Sequence, residues 1–201
     1  EAAELKAEMP GDKALGDPAA PVTLIEYASL SCSHCAAFHF KVLPAIQKEY
    51  ISTGKVRYMM RDYPLNNLSL FASLVAYCSG KQGGDEKYFK VLNEIITQQS
   101  MWAHTGSERA SLLIIATDNG VDGRQLTTCM DEDKALEEKI VASRKDAEQK
   151  LGIKKAPSYL VNGELVESLA TPEEARKVID AALAKVASSP SKDTSNKGAK
   201  P

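Results

Sequence analysis

The spacing of apolar residues predicts two neighbouring buried strands near the N-terminus. Val22–Ala28 is a nearly continuous apolar run, which is typical of a central strand covered on both faces. Lys55–Arg61 alternates between apolar and polar residues and predicts a second strand. Between them we predict a helix over about Ser33–Tyr50, kinked at Pro44, which has no backbone donor. A strand–helix–strand unit places its strands side by side and parallel, with a right-handed crossover.

The following segment, from Leu65 to about Lys150, has no strand pattern and predicts helices only. Helical spacing and capping residues predict a first helix from about Leu68 to a stop at Gly80 and a second that begins at a cap at Asp85. A third helix runs from Ser107 to Asn119-Gly120, and a short one lies around Gln125–Met130. The last runs from Asp133 to Leu151 before Gly152. We therefore expect residues 63–135 to form an inserted helical domain.

The strand pattern returns after this helical segment. Ser158–Val161 and Glu164–Glu167 flank Asn162-Gly163, the strongest two-residue signal for a hairpin turn. Thr171-Pro-Glu-Glu174 is a capping box that opens a helix to about Ser188. The whole pattern predicts an α/β protein whose single mixed sheet combines a βαβ half and a ββα half, interrupted by the helical insertion.

Composition and termini complete the predicted organisation. We expect residues 1–20 to be a loosely held lead-in, residues 21–62 and 136–188 to form the α/β domain, and residues 189–201 to be a disordered tail. A net charge of −2 provides no basic field for nucleic acid, so none is expected as a partner. There is no apolar run of about 18 residues that would span a bilayer. The chain begins with Glu1 and shows no signal peptide, so we expect an export signal to have been removed.

The main chemical signal lies at the start of the first predicted helix. Cys32 and Cys35 are one turn apart there and can form a disulfide without moving the backbone. We expect Cys32 to be exposed and to face unpaired amides at the positive end of the helix dipole, which favour its thiolate. His34 adds a donor or a positive charge near this sulfur, and Cys35 is shielded and suited to act as the resolving thiol. A stabilised thiolate would make the Cys32–Cys35 disulfide oxidising.

A Cys-x-x-Cys motif alone is equally compatible with a structural disulfide or two buried thiols. Here the motif follows a strand and opens a helix, and Ala156-Pro157 precedes a later strand. This context favours a redox-active pair.

Several of these features together resemble the DsbA-type thiol–disulfide oxidoreductases, which have the thioredoxin fold. The resemblance rests on Ser31–Cys35, on Glu26 in the preceding strand, on the helical insertion and on Gly152–Pro157, and it covers roughly residues 20–187. Two positions depart from the family pattern. Ala156 stands where the family often has Thr or Val, and Ser33-His34 replaces the Pro-His of the best-known members.

The resemblance implies roles for individual residues. Cys32 would be the nucleophile, Cys35 the resolving cysteine, and Pro157, after Ala156, a cis-proline packed against the pair at the substrate-binding segment. Glu26 has two interpretations. It is either a core carboxylate satisfied by a nearby base or, as in the family, an acid beneath the buried cysteine that assists proton transfer.

The remaining cysteines, Cys78 and Cys129, both lie in the predicted insertion and would also fit as small buried hydrophobic residues. Because some relatives carry a non-catalytic disulfide in the insertion, the resemblance implies one here. Closing this loop of about 50 residues would stabilise the fold by on the order of 4 kcal/mol. Four cysteines allow three pairings, and the residues alone leave the other two open.

A metal site is the alternative use of the same cluster, since Cys32, His34, Cys35 and His39 are all metal-ligating types. A helix start does not direct all four side chains to one centre, and structural zinc sites usually draw on two separated pairs. We therefore expect no metal, and we expect His39 to be a helix-surface or packing residue.

These observations predict a thiol–disulfide oxidoreductase that donates the Cys32–Cys35 disulfide to reduced exported proteins through a mixed disulfide at Cys32. The resemblance implies a periplasmic location and reoxidation by a DsbB-like membrane quinone reductase. We expect a monomer without a cofactor. The alternatives are an isomerase or reductase of the same fold, a metal-binding module, and an interaction protein with an inert thioredoxin-like domain.

Overall fold

The computed structural model describes residues 2–189, which contain a mixed five-stranded sheet. Its strands are β1 (Ala14–Leu15), β2 (Val22–Ala28), β3 (Val56–Asp62), β4 (Ser158–Val161) and β5 (Glu164–Val166). They are ordered β1-β3-β2-β4-β5, with β2 and β3 parallel and all other neighbours antiparallel. The predicted mixed sheet, made of a βαβ half and a ββα half, is confirmed.

Helices cover both faces of the sheet and fill the segment between β3 and β4. They are α1 (Ser33–Lys41), α2 (Leu43–Ile46), α3 (Asn67–Lys81), α4 (Gly84–Thr97), α5 (Gln99–Trp102), α6 (Glu108–Asp118), α7 (Gly123–Glu132), α8 (Lys134–Leu151) and α9 (Pro172–Ser188). The helix predicted over residues 33–50 is interrupted, because Pro44 starts a new helix after α1 and a π-helical turn (Gln47–Ile51) follows. Helix α8 runs across residue 135, and the division into two domains stays a prediction.

Strand β2 lies at the centre of the sheet and is buried along almost its whole length. Successive side chains of a strand point to opposite faces. Leu24 and Ala28 belong to the same buried cluster as Cys35 of α1, whereas Ile25 and Tyr27 pack on the other face. Glu26 has the parity of Leu24 and Ala28, so it lies beneath α1.

The hairpin and the final helix have the turn chemistry that the sequence predicts. Asn162 and Gly163 have φ values of 47° and 78°, as a primed two-residue turn requires. Thr171 caps α9 by accepting a hydrogen bond from the Glu174 amide, and Pro172 occupies the first turn. Local turn and cap signals therefore determine how the chain enters and leaves β4 and β5.

The lead-in is held more firmly than we expected. Buried Arg61 of β3 forms an ion pair with Asp12 at 2.6 Å and donates to the carbonyls of Leu5 and Ala7. Strand β1, which the sequence pattern does not predict, pairs with the outer edge of β3. The physical reason is that a buried guanidinium needs acceptors, and the polar lead-in supplies them.

The predicted helix stop at Gly80 is wrong. Gly80 lies inside α3, where an added Cβ would come within 3.0 Å of the Tyr88 Cβ on α4. Its function is therefore close helix packing, and α3 continues to Lys81. The next helix starts at Gly84, so Asp85 lies in its first turn and does not cap it.

Two further features concern the helical segment and the C-terminus. Cys78 of α3 and Cys129 of α7 are joined by a disulfide. Among the described residues, no helix is both long and apolar enough to cross a membrane. The tail predicted for residues 189–201 lies outside the described residues except for Ser189.

Candidate active site

The site begins where β2 ends and the chain turns into α1. Cys32 is the N-cap of α1, and its sulfur accepts a hydrogen bond from the Cys35 amide at 3.4 Å. The first turn of this helix contains no acidic residue that would offset its positive end. Helix capping therefore uses the Cys32 sulfur as its acceptor, which favours the thiolate.

The segment before β4 covers the same sulfur. The Ala156–Pro157 peptide bond is cis, and the Cys32 sulfur lies 3.6 Å from the Ala156 carbonyl oxygen, to which it donates a hydrogen bond when it is protonated. Cys32 is consequently only 8% exposed. The expectation of an exposed Cys32 is wrong, because residues far along the chain fold over the helix start. The structure thus brings Cys32, Cys35, Ala156 and Pro157 together.

The two thiols have opposite electrostatic environments. The hydrogen bond from the Cys35 thiol, aided by the amides of Cys35 and His34 and by the charge of His34, lowers the pKa of Cys32 to about 6 against the effect of burial. The hydrogen bond to Cys32, complete burial and the charge of Glu26 raise the pKa of Cys35 above its ordinary value. These environments favour the thiolate form of Cys32 and the thiol form of Cys35.

Glu26 is fully buried beneath α1 and has two side-chain partners. Its Oε2 accepts a hydrogen bond from the Tyr58 hydroxyl at 2.6 Å and is hydrogen-bonded to His39 Nε2 at 2.9 Å. Its Oε1 has no hydrogen-bond partner. His39 is the nearby base that one of the two interpretations of Glu26 requires. The charge of Glu26 also helps to raise the pKa of Cys35.

His39 is the residue whose place the sequence describes least well. Its side chain is 3% exposed and bound to Glu26, so it is not a helix-surface residue. Its ring nitrogen is directed at the sheet and not at Cys32. Within residues 2–189, no group of three or more His, Cys, Asp and Glu side chains is arranged to hold a metal ion.

Gln99 of α5 also contributes to the site and was missed by sequence analysis. It is buried, and its side-chain amide donates to the carbonyls of Leu30 at 2.8 Å and Cys32 at 3.1 Å. It therefore holds the turn that precedes α1 from the side of the helical segment. No local sequence signal could identify it, because its partners lie 69 and 67 positions away.

A groove of about 470 Å³ opens beside the thiol pair, between α1 and the residues on either side of the β4–β5 hairpin. It is lined by His34, Ala37, Phe38, Lys41, Lys155, Ala156, Pro157, Tyr159, Glu167, Ser168, Leu169 and Ala170. The groove combines apolar side chains with exposed charged groups of both signs, Lys41, Lys155 and Glu167, which suits an extended peptide.

We expect iodoacetamide to alkylate the reduced protein with a pH midpoint near 6, because only the thiolate of Cys32 reacts. Cys35→Ala removes the thiol that hydrogen-bonds to Cys32 and should move the midpoint upward. Cys35→Ser keeps a donor at this position and should stay closer to the wild-type value. Intact-mass measurement of alkylation rates over pH checks this, and equal midpoints in Cys35→Ala and wild type would contradict it.

For Gln99→Leu we expect a loss of about 1–3 kcal/mol in the free energy of unfolding, since buried carbonyl oxygens lose a donor. Urea denaturation measures this difference. The matched control is Gln98→Leu, whose amide contacts only Glu94 of the preceding helix and which should change stability by less than about 0.5 kcal/mol. Equal stabilities of the two variants would argue against the positioning role of Gln99.

Comparison with known proteins agrees with this geometry. A family model described as thioredoxin matches residues 8–181. The crystal structure of Wolbachia pipientis α-DsbA1 superposes with a TM-score of 0.85 at 31% identity, covering 93% of this chain and 98% of that one. A Bacillus anthracis protein named "Probable disulfide bond formation protein D" is 30% identical over 86% of this chain and 79% of its own length.

A Rickettsia typhi protein named "Putative protein-disulfide oxidoreductase" is 30% identical over 83% of this chain. The chain spans only 60% of the length of that curated relative. Fold, paired thiols and similarity agree, and the chain belongs to the DsbA-type branch of the thioredoxin family.

Proposed function

We propose that this chain is a thiol–disulfide oxidase that donates a Cys32–Cys35 disulfide to reduced cysteines of exported proteins. The observation that carries the proposal is the placement of the two sulfurs: Cys32 caps α1 and accepts a hydrogen bond from the Cys35 amide, whereas Cys35 is fully buried. These environments lower the pKa of Cys32 to about 6 and raise that of Cys35. A thiolate stabilised in the reduced pair favours reduction of the pair and hence oxidation of its substrate.

The reaction would proceed in two exchanges. A substrate thiolate attacks Cys32 Sγ, which forms a mixed disulfide and breaks the Cys32–Cys35 bond, leaving the electron pair on Cys35. Because the pKa of Cys35 is raised, this sulfur takes up a proton, and we assign its delivery to Glu26. A second substrate thiolate then attacks the first substrate sulfur and releases Cys32 as a thiolate, a good leaving group at its lowered pKa.

Other features support the substrate and compartment. The groove along Ala156 and Pro157 is where an unfolded peptide would lie while joined to Cys32. The Cys78–Cys129 disulfide favours an oxidising compartment, here the periplasm. For turnover, we assign reoxidation to a DsbB-like membrane quinone reductase and expect the oxidase to act as a monomer.

The direct test uses oxidised protein and a reduced peptide with two cysteines. We expect wild type to convert the peptide to its disulfide with loss of one protein disulfide, whereas Cys32→Ser should have no activity. Cys35→Ser, incubated with excess oxidised glutathione, should accumulate a mixed disulfide at Cys32, because neither Cys35 nor a second thiol on the bound glutathione can resolve it. Mass spectrometry follows all three species, and peptide oxidation by Cys32→Ser would refute the proposal.

Redox titration in glutathione buffers then separates the oxidase from its alternatives. An oxidising potential agrees with the proposal, whereas a potential near that of thioredoxin, about −270 mV, indicates a reductase. Faster refolding of a scrambled-disulfide substrate than oxidation of a reduced one would indicate an isomerase.

A further inference from the structure

A second opening reaches the site from the side opposite to Cys32. This pocket of about 310 Å³ lies between α1, α2, β3 and α4. Its polar wall residues include His39 and Tyr58, the two partners of Glu26. Gln47 and Asn93 stand at its exposed rim. The buried carboxylate is therefore separated from an open pocket by one layer of side chains.

The placement of these groups follows from α1 and β2. Cys35 and His39 are four residues apart on α1 and lie on one face of it. That face covers Glu26, which binds His39 through Oε2 and has no partner at Oε1. The charge of Glu26 also helps to raise the pKa of Cys35. Cys35, Glu26 and His39 thus form a short series from the buried thiol to the pocket.

Three tyrosines from neighbouring elements lie near this series. Tyr58 of β3 and Tyr88 of α4 have pKa values raised well above normal, chiefly by burial. Burial and the charge of Glu26 also raise the pKa of Tyr159 of β4. These tyrosines keep their protons, whereas an imidazole gains and loses one in the neutral range.

Solvent on the groove side does not reach Cys35 directly. Cys35 is fully buried, and Cys32 and the loop before β4 cover that side. During the mixed disulfide, the substrate itself lies in the groove over this loop. A proton that moves to or from Cys35 at this stage needs another path.

We propose that His39 is a positioning residue that holds Glu26 and passes protons between it and water in the 310 Å³ pocket. The inference rests on the proposed function. When the Cys32–Cys35 bond breaks, the Cys35 thiolate takes the Glu26 proton, Glu26 takes one from the His39 ring, and His39 recovers one from pocket water. Resolution of a mixed disulfide by Cys35 runs the same transfers in reverse.

The test separates the two steps of one oxidation. Reduced protein is mixed with oxidised glutathione, quenched with acid, and analysed by intact mass. The first step, attack of Cys32 on glutathione, does not require the Cys35 proton. The second, attack of Cys35 on the mixed disulfide, does. We expect His39→Ala and His39→Gln to slow the second step on the order of tenfold. Loss of a general base itself costs roughly 100-fold or more, and the effect here is smaller because Glu26 remains.

Chemical rescue distinguishes proton transfer from packing. His39→Ala removes an imidazole that lines the pocket, so added imidazole should restore the second step. Pyrazole has the same size but is not protonated near neutral pH, and it should have no effect. Asn93→Ala changes the pocket rim without touching Glu26 and should keep the wild-type rate.

The outcomes separate the inference from the proposed function. A wild-type second step in folded His39→Gln overturns the relay, as does a slowed His39→Ala that imidazole does not accelerate. If His39→Ala fails to fold, a slower second step in His39→Gln, at an unchanged first step and urea midpoint, supports the relay. Absence of the first step in wild type overturns the proposed function itself.

Discussion

A carboxylate buried at the centre of the sheet is the constraint on which the rest of the site depends. Glu26 lies in β2, between hydrogen-bonded strands on both sides, so its position cannot adjust independently. Burial of a charged group is costly unless it is hydrogen-bonded. Tyr58 and His39 reduce that cost at one oxygen, and the other oxygen remains without a partner. The sheet thereby places an unsatisfied acid beneath the helix that carries both thiols.

The two chemically identical thiols differ because of their hydrogen bonds and burial, and the charge of the acid adds to this difference. Cys35, one turn into α1, is fully buried and is affected by the charge of Glu26. Cys32 lies at the helix start, where an amide donates to its sulfur. In the proposed oxidase this difference favours reduction of the pair, because one sulfur is stabilised as an anion and the other is not.

The fold could be predicted largely because its signals are local. Apolar continuity identifies β2, and Asn162-Gly163 specifies a hairpin turn within two residues. The predictions that failed depend on tertiary contacts or concern an element too short to show a pattern. Gly80 resembles a helix stop unless its contact with Tyr88 is known, and β1 is too short for a periodic pattern.

The same distinction applies to the candidate site. Cys32 and Cys35 are recognisable because adjacent residues within one turn define their chemistry. The contributions of His39 and Gln99 could not be predicted, since each depends on a partner that only the tertiary structure brings near. For Cys32, the helix start indicated a favoured thiolate, but its burial comes from residues more than a hundred positions away.

The buried polar group beneath α1 is better explained by chemistry than by stability. Replacing a buried ion pair by apolar residues of similar volume is often neutral or stabilising, so Glu26 and His39 are not needed to fill the core. An acid with one unpaired oxygen is a local cost to folding. In the proposed reaction it serves the buried Cys35 thiol, which gains and loses a proton while shielded from solvent. The proposed proton transfer in a dry interior requires such a group. This requirement explains why the protein retains Glu26 although its unpaired oxygen lowers the stability of the fold.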